Sequence, residues 1–286
     1  MPVMLSLILF GCGEERQTEY TFYEIKLAYD DQENKLAGEM NVNYVNNTGV
    51  ELNHVCFHLY PNAFREGSNQ GVVSLANYNR AYYNGKSYGD IEITSSNYGY
   101  SLIGDDENIL KVELSSPLAP NEDVNINLEF ETTLPEINHR IGVGENTINF
   151  GNAVPILCVY ENGAFDLNGY NSNGDSFYSE ISNYSVKIAF PEKYVIAATG
   201  EKVSESVEDG NKVVSFNAEK VRDFVFVLSE NFNVISSNVG DTTINYYYYD
   251  DENPENRLQT RLLSVQTFSH LSGHYPYHVS HVVAAS

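Results

Sequence analysis

The feature that most constrains this chain is a period of two in its apolar residues. From Phe22 onward, apolar side chains alternate with polar or small ones in short runs. Tyr23, Ile25, Leu27 and Tyr29 form one run, Met40, Val42 and Tyr44 a second, and Val55, Phe57 and Leu59 a third. An extended chain sends successive side chains to opposite faces, so each run has one face to bury and one to leave in water. The pattern returns at Ile91 and Ile93, then at Leu110, Val112 and Leu114, then at Val124, Ile126, Leu128 and Phe130. Val186, Ile188 and Phe190 repeat it, and three denser stretches follow at 195–198, 213–216 and 224–228. Turn signals divide the runs. Asn46-Asn47-Thr48-Gly49 tolerates positive φ, and Pro117-Leu118-Ala119-Pro120-Asn121 fixes φ at its prolines. Short strands at this spacing predict an all-β fold, an antiparallel sandwich or open barrel. The 22 tyrosines agree, because Tyr favours half-buried pleated surfaces.

The pattern changes near Asp241. Thr243 to Tyr249 reads as a last strand. Asn253-Pro254 then opens a helix, with Asn as N-cap and Pro at the first helical position. Leu258, Leu262 and Val265 fall at i, i+4 and i+7, with Phe268 at the edge of the same face. Gly273 and Pro276 end the helix, and Val279 to Ala284 reads as one more strand. The expected organisation is a β-domain over 22–238, followed by 239–286 as the start of a second, strand-helix-strand unit. Two stretches read as loops, Arg65 to Ser87 and the Asn-Gly-rich run from Glu161 to Asp175.

The amino terminus has its own logic. Val3 to Phe10 is an apolar run too short to cross a bilayer as a helix, which takes about 20 residues. It reads as the end of a signal-peptide h-region. Leu9-Phe10-Gly11-Cys12 resembles a bacterial lipobox, in which cleavage before the cysteine leaves a sulfur that receives a lipid. Residues 1–12 are thus expected to be signal and lipid-attachment site, with Cys12 the modified residue and 13–21 a tether. No Lys or Arg precedes the apolar run, which suggests a start further upstream. More than one acyl chain gives lasting attachment, so the expected location is the cell membrane, lipid-anchored on its extracytoplasmic face.

Charge narrows the partners. With 16 basic and 39 acidic residues the formal charge is −23, which repels phosphate backbones and argues against nucleic-acid binding. Three cysteines do not make a disulfide framework. Cys56 and Cys158 lie in apolar runs and read as buried thiols, with a disulfide between them left open.

The search for chemistry returns little. None of the seven histidines is followed by Glu, so this sequence holds no H-E-x-x-H zinc helix. It holds no G-x-S-x-G elbow and no phosphate-binding glycine loop. His54, Cys56 and His58 alternate and share a strand face, about 7 Å apart. Val55, Phe57 and Leu59 claim the core face, which makes packed, hydrogen-bonded histidines the ordinary outcome. His270 and His274 are one helical turn apart, but Gly273 interrupts them, and His278 and His281 lie beyond Pro276. These read as solvated or helix-end histidines. No catalytic residue and no metal ligand is assigned.

Several strings, taken in order, resemble the amino-terminal domain of bacterial aminopeptidase N-type (gluzincin) zinc metallopeptidases. They are Phe57-His58-Leu59-Tyr60-Pro61-Asn62-Ala63-Phe64, Tyr88-Gly89-Asp90-Ile91-Glu92-Ile93, Ala197-Ala198-Thr199-Gly200-Glu201, Val221-Arg222-Asp223-Phe224 and Tyr275-Pro276-Tyr277. Together they run from about Tyr20 to Ser286. The resemblance implies a saddle-shaped β-domain leading into a thermolysin-like catalytic domain. That second domain supplies a G-x-M-E segment and the zinc ligands, and it is where peptide substrate and zinc would bind. Neither motif occurs in this sequence, so the family's zinc is not expected on this chain, and a truncated or split coding sequence is the expectation. In relatives the β-domain lends one acidic or amide side chain to the substrate's amino group. Glu161, in Cys158-Val159-Tyr160-Glu161-Asn162-Gly163, is the candidate here, although its local motif departs from the better-known members. The expected function is therefore the non-catalytic amino-terminal region of a membrane-anchored zinc aminopeptidase-like protein, inactive alone. The alternatives are a stand-alone surface binding module that uses the two long loops, or a remnant that folds poorly.

Overall fold

A computed structural model describes residues 20–69, 72–172 and 177–285. The alternating runs become strands whose faces follow the pattern. β1 (Phe22–Asp30) alternates exposed and buried residues without a break, Tyr23, Ile25, Leu27 and Tyr29 pointing inward. The chain turns through Asn34, at φ 54°, into β2 (Lys35–Val45). Next come β3 (Leu52–His58), β4 (Asp90–Ser96), β5 (Gly99–Ile103), β6 (Ile109–Leu118) and β7 (Asp123–Thr133). Five short strands follow: β8 (Ile141–Val143), β9 (Ile148–Phe150), β10 (Ile156–Leu157), β11 (Tyr160–Glu161) and β12 (Ala164–Phe165). β13 (Ser182–Pro191), β14 (Val195–Ala198), β15 (Glu201–Glu208), β16 (Asn211–Val221) and β17 (Phe226–Ser229) complete this part of the chain.

These strands form one large sheet, two four-stranded sheets and the two-stranded pair β11-β12. The large sheet has the order β15-β16-β13-β1-β2-β7-β4. Its pairs are antiparallel apart from β1 with β13, which run parallel. The four-stranded sheets are β10-β3-β6-β5 and β14-β17-β9-β8. Their inward residues share one continuous apolar cluster, with Ile25, Met40, Ile126 and Leu128 from the large sheet and Val55, Phe57, Leu110 and Val112 from the second. Stacked rings reinforce it, Tyr23 on Tyr184 at 4.6 Å and Phe150 on Phe226 at 4.1 Å. The result is the mainly antiparallel β-sandwich that the period of two predicts.

β15 was not legible in the sequence. All eight of its residues are exposed, so it has no buried face to mark it, and pairing with β16 alone places it. The stretch from Arg65 to Ser87 is no bare loop either. It contains a one-turn helix, α1 (Tyr78–Ala81), and buries Val72 and Tyr82 against the core.

Two buried amides tie the turns together. Asn46 donates to the carbonyls of Val50, at 2.8 Å, and Leu118, at 2.9 Å, and accepts from Thr48. It joins the β2–β3 turn to the end of β6. Asn62 lies in the 3-10 turn Tyr60–Phe64, where all five residues are buried. It donates to the Glu107 carbonyl at 2.7 Å and accepts the Ile91 amide at 3.0 Å. One side chain thus holds the start of β4 against the turn before β6.

The chain then builds a smaller unit. β18 (Asn233–Val239), β19 (Thr242–Tyr248) and β20 (Val279–Val283) form a three-stranded sheet, with β20 parallel to β19. α2 (Pro254–Ser272) crosses between β19 and β20 and sets Leu258 and Val265 against Ile244 and Tyr246. Asn253 holds the N-cap position, but its side chain makes no capping bond. The Asp251 carboxylate instead accepts the Asn253 amide at 3.0 Å and also meets Tyr246 and Arg257. Gly273, at φ 103°, ends the helix as predicted. Phe268 lies off the buried face, 65% exposed. Among the described residues no helix is long and apolar enough to cross a membrane.

Asn62→Ala orphans a carbonyl and an amide inside the core. The expected loss is about 2 to 4 kcal/mol of unfolding free energy, read as a lower urea midpoint at unchanged slope. A midpoint equal to that of the parent chain would remove Asn62 as a tie.

Candidate functional site

The Glu161 side chain is placed by a small hairpin. β10 pairs with β3 in the register Ile156–His58 and Leu157–Phe57. The amide of Cys158 carries the pairing one step further, to the Cys56 carbonyl at 2.9 Å. The chain then lifts away and folds β11 back on β12. Asn162 and Gly163 form the two-residue turn, with φ values of 53° and 85°. Both centres being left-handed marks a type I′ turn, the tight connection that Asn-Gly favours. The hairpin breaks up what the sequence presents as one loop from Glu161 to Asp175.

Alternation across the hairpin decides what each residue does. Tyr160 meets Phe165 edge-on at 5.1 Å, and buried Phe165 leans on His54 at 5.6 Å. Glu161 therefore points to solvent. Its carboxylate accepts a hydrogen bond from the Tyr178 hydroxyl at 3.3 Å, and the nearby negative charge raises that hydroxyl's pKa. Glu180 lies beside the Tyr160 backbone. The residue keeps surface in water, but burial around its carboxyl pushes the pKa up, partly offset by the Tyr160 amide that it accepts. The arrangement offers an exposed carboxylate, steadied by one hydroxyl, on a short rigid turn. Such a group can accept hydrogen bonds from an ammonium.

The histidines do not assemble. Val55 and Phe57 face the core as predicted, and His54, Cys56 and His58 share the opposite face of β3. That face is covered too, because the segment after β10 lies over it. His58 is only 1% exposed and stacks on Tyr60 at 4.7 Å. Neither of its ring nitrogens finds a hydrogen-bond partner, contrary to the expected hydrogen-bonded histidine. His270 lies in the last turn of α2, whereas His281 sits on β20 and approaches the Gly200 carbonyl at 3.3 Å. Among the described residues no three of His, Cys, Asp and Glu converge on a point where a metal could bind. The residues present do not fit the zinc of the resembled family. Cys12 lies outside the described residues.

One cluster has no signal in the sequence. His139, between β7 and β8, meets the Tyr170 hydroxyl at 3.1 Å. That hydroxyl donates to the Val72 carbonyl, so Nε2 of His139 is the donor and Nδ1 is left without a partner. Phe64 and Phe177 close the ring around Tyr170, and the Arg140 guanidinium lies 4.5 Å over Phe177. Burial, then the neighbouring Arg140, lowers the His139 pKa to about 4.

The comparisons with known proteins can be set beside this geometry. No protein-family profile matches the chain, and no curated protein does. Solved structures match in fold. An M1 zinc metallopeptidase from Deinococcus radiodurans superposes with a TM-score of 0.57 at 12% identity, over 93% of this chain and 57% of that one. A mutant from the same organism, bound to a Tyr-Ser-Ala substrate, gives 0.57 at 14% identity, over 93% and 56%. A two-domain M1 zinc metallopeptidase mutant bound to L-arginine gives 0.56 at 12%, again over 93% and 56%. This chain spans a little over half the length of the structures that it matches, and the likeness is one of fold.

His58 makes the acid response specific. Burial pushes its pKa down to about 4 from 6.5, with Asp166 pulling weakly the other way. Between those values the unfolded chain binds the proton and the folded chain does not. The stability due to neutral His58 is whole above pH 6.5 and falls as pH drops towards 4. From pH 7 to pH 5 this amounts to about 2 kcal/mol. His58→Phe keeps a ring on Tyr60 and should lose about that much less over the same interval in urea titrations. Identical slopes in the two proteins would show that His58 is not the buried neutral group.

Proposed function

We propose that this chain is the amino-terminal, non-catalytic region of a membrane-anchored zinc aminopeptidase-like protein. The observation that carries the reading is the superposition of nearly the whole chain on M1 zinc metallopeptidases. The sequence itself contains no H-E-x-x-H, and the described histidines do not converge, so hydrolysis is not assigned to this chain. Its share is scaffold and substrate contact. Glu161 is the side chain proposed to meet the amino group of a peptide, which suits its exposure and its tyrosine-held carboxylate. α2 leaves Leu263, Phe268 and Leu271 exposed at 52%, 65% and 71%, an apolar face that suits further polypeptide packed upon it. Cys12 is proposed as the lipid-bearing residue that holds the protein on the extracytoplasmic face of the membrane.

Three experiments test this. The purified chain should hydrolyse no aminoacyl-anilide and carry no stoichiometric zinc; turnover, or one zinc per chain by elemental analysis, would refute the non-catalytic assignment. A tripeptide with a free amino terminus should perturb the amide resonances of Tyr160 to Phe165, while its acetylated form should not, and Glu161→Gln should abolish the difference. Equal effects from both peptides would remove Glu161 from the substrate site. Separately, Cys12→Ser should move the protein from the membrane to the soluble fraction of its host, and unchanged fractionation would end the lipid-anchor proposal.

A further inference from the structure

Cys56 and Cys158 stand opposite one another. The β3–β10 register pairs His58 with Ile156 and Phe57 with Leu157, and the next step pairs Cys56 with Cys158. The hydrogen bond from the Cys158 amide to the Cys56 carbonyl, at 2.9 Å, shows that the register is kept at that step. Residues directly opposite in an antiparallel pair point to the same face. At a hydrogen-bonded pair their Cα atoms lie about 5.5 Å apart, inside the span that a disulfide bridges. Both thiols are free, with only 1% and 3% of these residues exposed.

We propose that Cys56 and Cys158 are a reversible dithiol–disulfide pair, a redox modification site that fastens β3 to the segment carrying Glu161. The oxidant is a small disulfide of the glutathione type. The thiolate of one cysteine attacks a sulfur of oxidised glutathione, and one glutathione thiolate leaves. The second cysteine's thiolate attacks the protein sulfur of that mixed disulfide and expels the other glutathione. Two protons pass from the protein thiols to the departing thiolates, and two electrons go to glutathione. The Cβ atoms of a hydrogen-bonded cross-strand pair lie towards the wide end of about 4.5–5.5 Å, against the ~3.8 Å that a disulfide prefers, so the bond forms under strain and is easily reduced.

The position of the pair gives the bond a consequence. Cys158 lies three residues before Glu161, between β10 and the hairpin, where backbone pairing to β3 is about to end. A covalent link there fixes the root of the hairpin to β3, to which, beyond β10, the Cys158–Cys56 backbone hydrogen bond otherwise joins it. Burial also sets the pace. It raises the Cys56 thiol to about 11 and holds the Cys158 thiol well above its ordinary value. The cavity beside Cys158, lined by Tyr23, Tyr44 and Glu180, has only about 10 Å³ open to the centre of a water molecule. Glutathione reaches the pair only when the backbone around Cys158 opens locally, so oxidation is slow and mild urea speeds it. The inference stands apart from the peptidase reading, since no substrate enters it.

The full chain is equilibrated in glutathione buffers from fully reduced to strongly oxidising, with and without sub-denaturing urea. It is then quenched with an alkylating reagent in denaturant and mapped by mass spectrometry. The expected result is a peptide linked through Cys56 and Cys158, lighter by two hydrogens, that is absent in reduced buffer, dominant in oxidising buffer and lost again with dithiothreitol. Cys158→Ala should leave Cys56 fully alkylated under the same conditions. If that variant fails to fold, the parent titration decides alone. Both thiols alkylated at every ratio, only mixed disulfides with glutathione, or linkage through Cys12 would each overturn the proposal.

Discussion

β3 must be buried on both faces, and much of the site follows from that. One face carries Val55 and Phe57 into the core shared with the large sheet. The other carries His54, Cys56 and His58, which a two-layer sandwich would leave in water. The chain covers that second face with the segment that begins at β10 and returns at β13. Aromatic rings meet the histidines: Phe165 from that segment lies on His54, and Tyr60, in the 3-10 turn directly after β3, lies on His58, with Phe177 closing on Tyr60 at 4.7 Å. Glu161 is exposed because its neighbours Tyr160 and Phe165 are the ones pressed down.

The cover is held by few polar bonds, each of which matters for that reason. The Leu157 amide donates to the Tyr23 hydroxyl at 3.2 Å, which ties the start of the segment to β1 of the large sheet. The Tyr178 amide donates to the Tyr60 hydroxyl at 3.3 Å, and Ser179 and Arg222 exchange bonds with each other's backbone carbonyls at 2.7 Å, which tie its far end. Between these ends lie the hairpin and Tyr170, which packs on His139, whose Nδ1 has no partner. Unpaired buried nitrogens such as those of His58 are costly once charged. The segment that presents Glu161 is therefore also a part of the molecule sensitive to acid.

How much of this could be read in advance depended on whether a residue's partner was local. The alternation of β1, β2 and β7 was legible because each strand buries one face of its own, and the α2 register was legible because Leu258 and Val265 repeat at helical spacing. β15 was illegible because a strand with no buried face carries no periodic mark. The burial of His58 could not be foreseen from its own alternation, which assigned it to the outer face; Tyr60 stacks on it from two residues on, and further cover for that face arrives about 100 residues later, from Cys158 onward. Glu161 is a candidate by resemblance alone, and its exposure and its tyrosine partner depend on a type I′ turn that Asn162-Gly163 signals inside a stretch that otherwise reads as a loop. The His139–Tyr170 pair, 31 residues apart with no shared motif, left no trace that a single sequence can show.

The smaller unit follows the same rule of covered faces with a different outcome. Parallel strands such as β19 and β20 are joined by a crossover, and their sheets are usually buried on both sides. α2 supplies one side. The other leans on the first region, where Tyr277 donates to the Lys220 carbonyl at 2.9 Å, His281 reaches Gly200, and Phe232 meets Tyr247 at 5.8 Å. The sheet is satisfied on both faces, but the helix is not. Its inner residues Leu258 and Val265 are spent on the sheet, while Leu263, Phe268 and Leu271 stand in solvent on the outside. Polar residues at those three positions would serve an exposed helix equally well in propensity, so their apolar character needs a packing reason that the helix's own sheet does not provide.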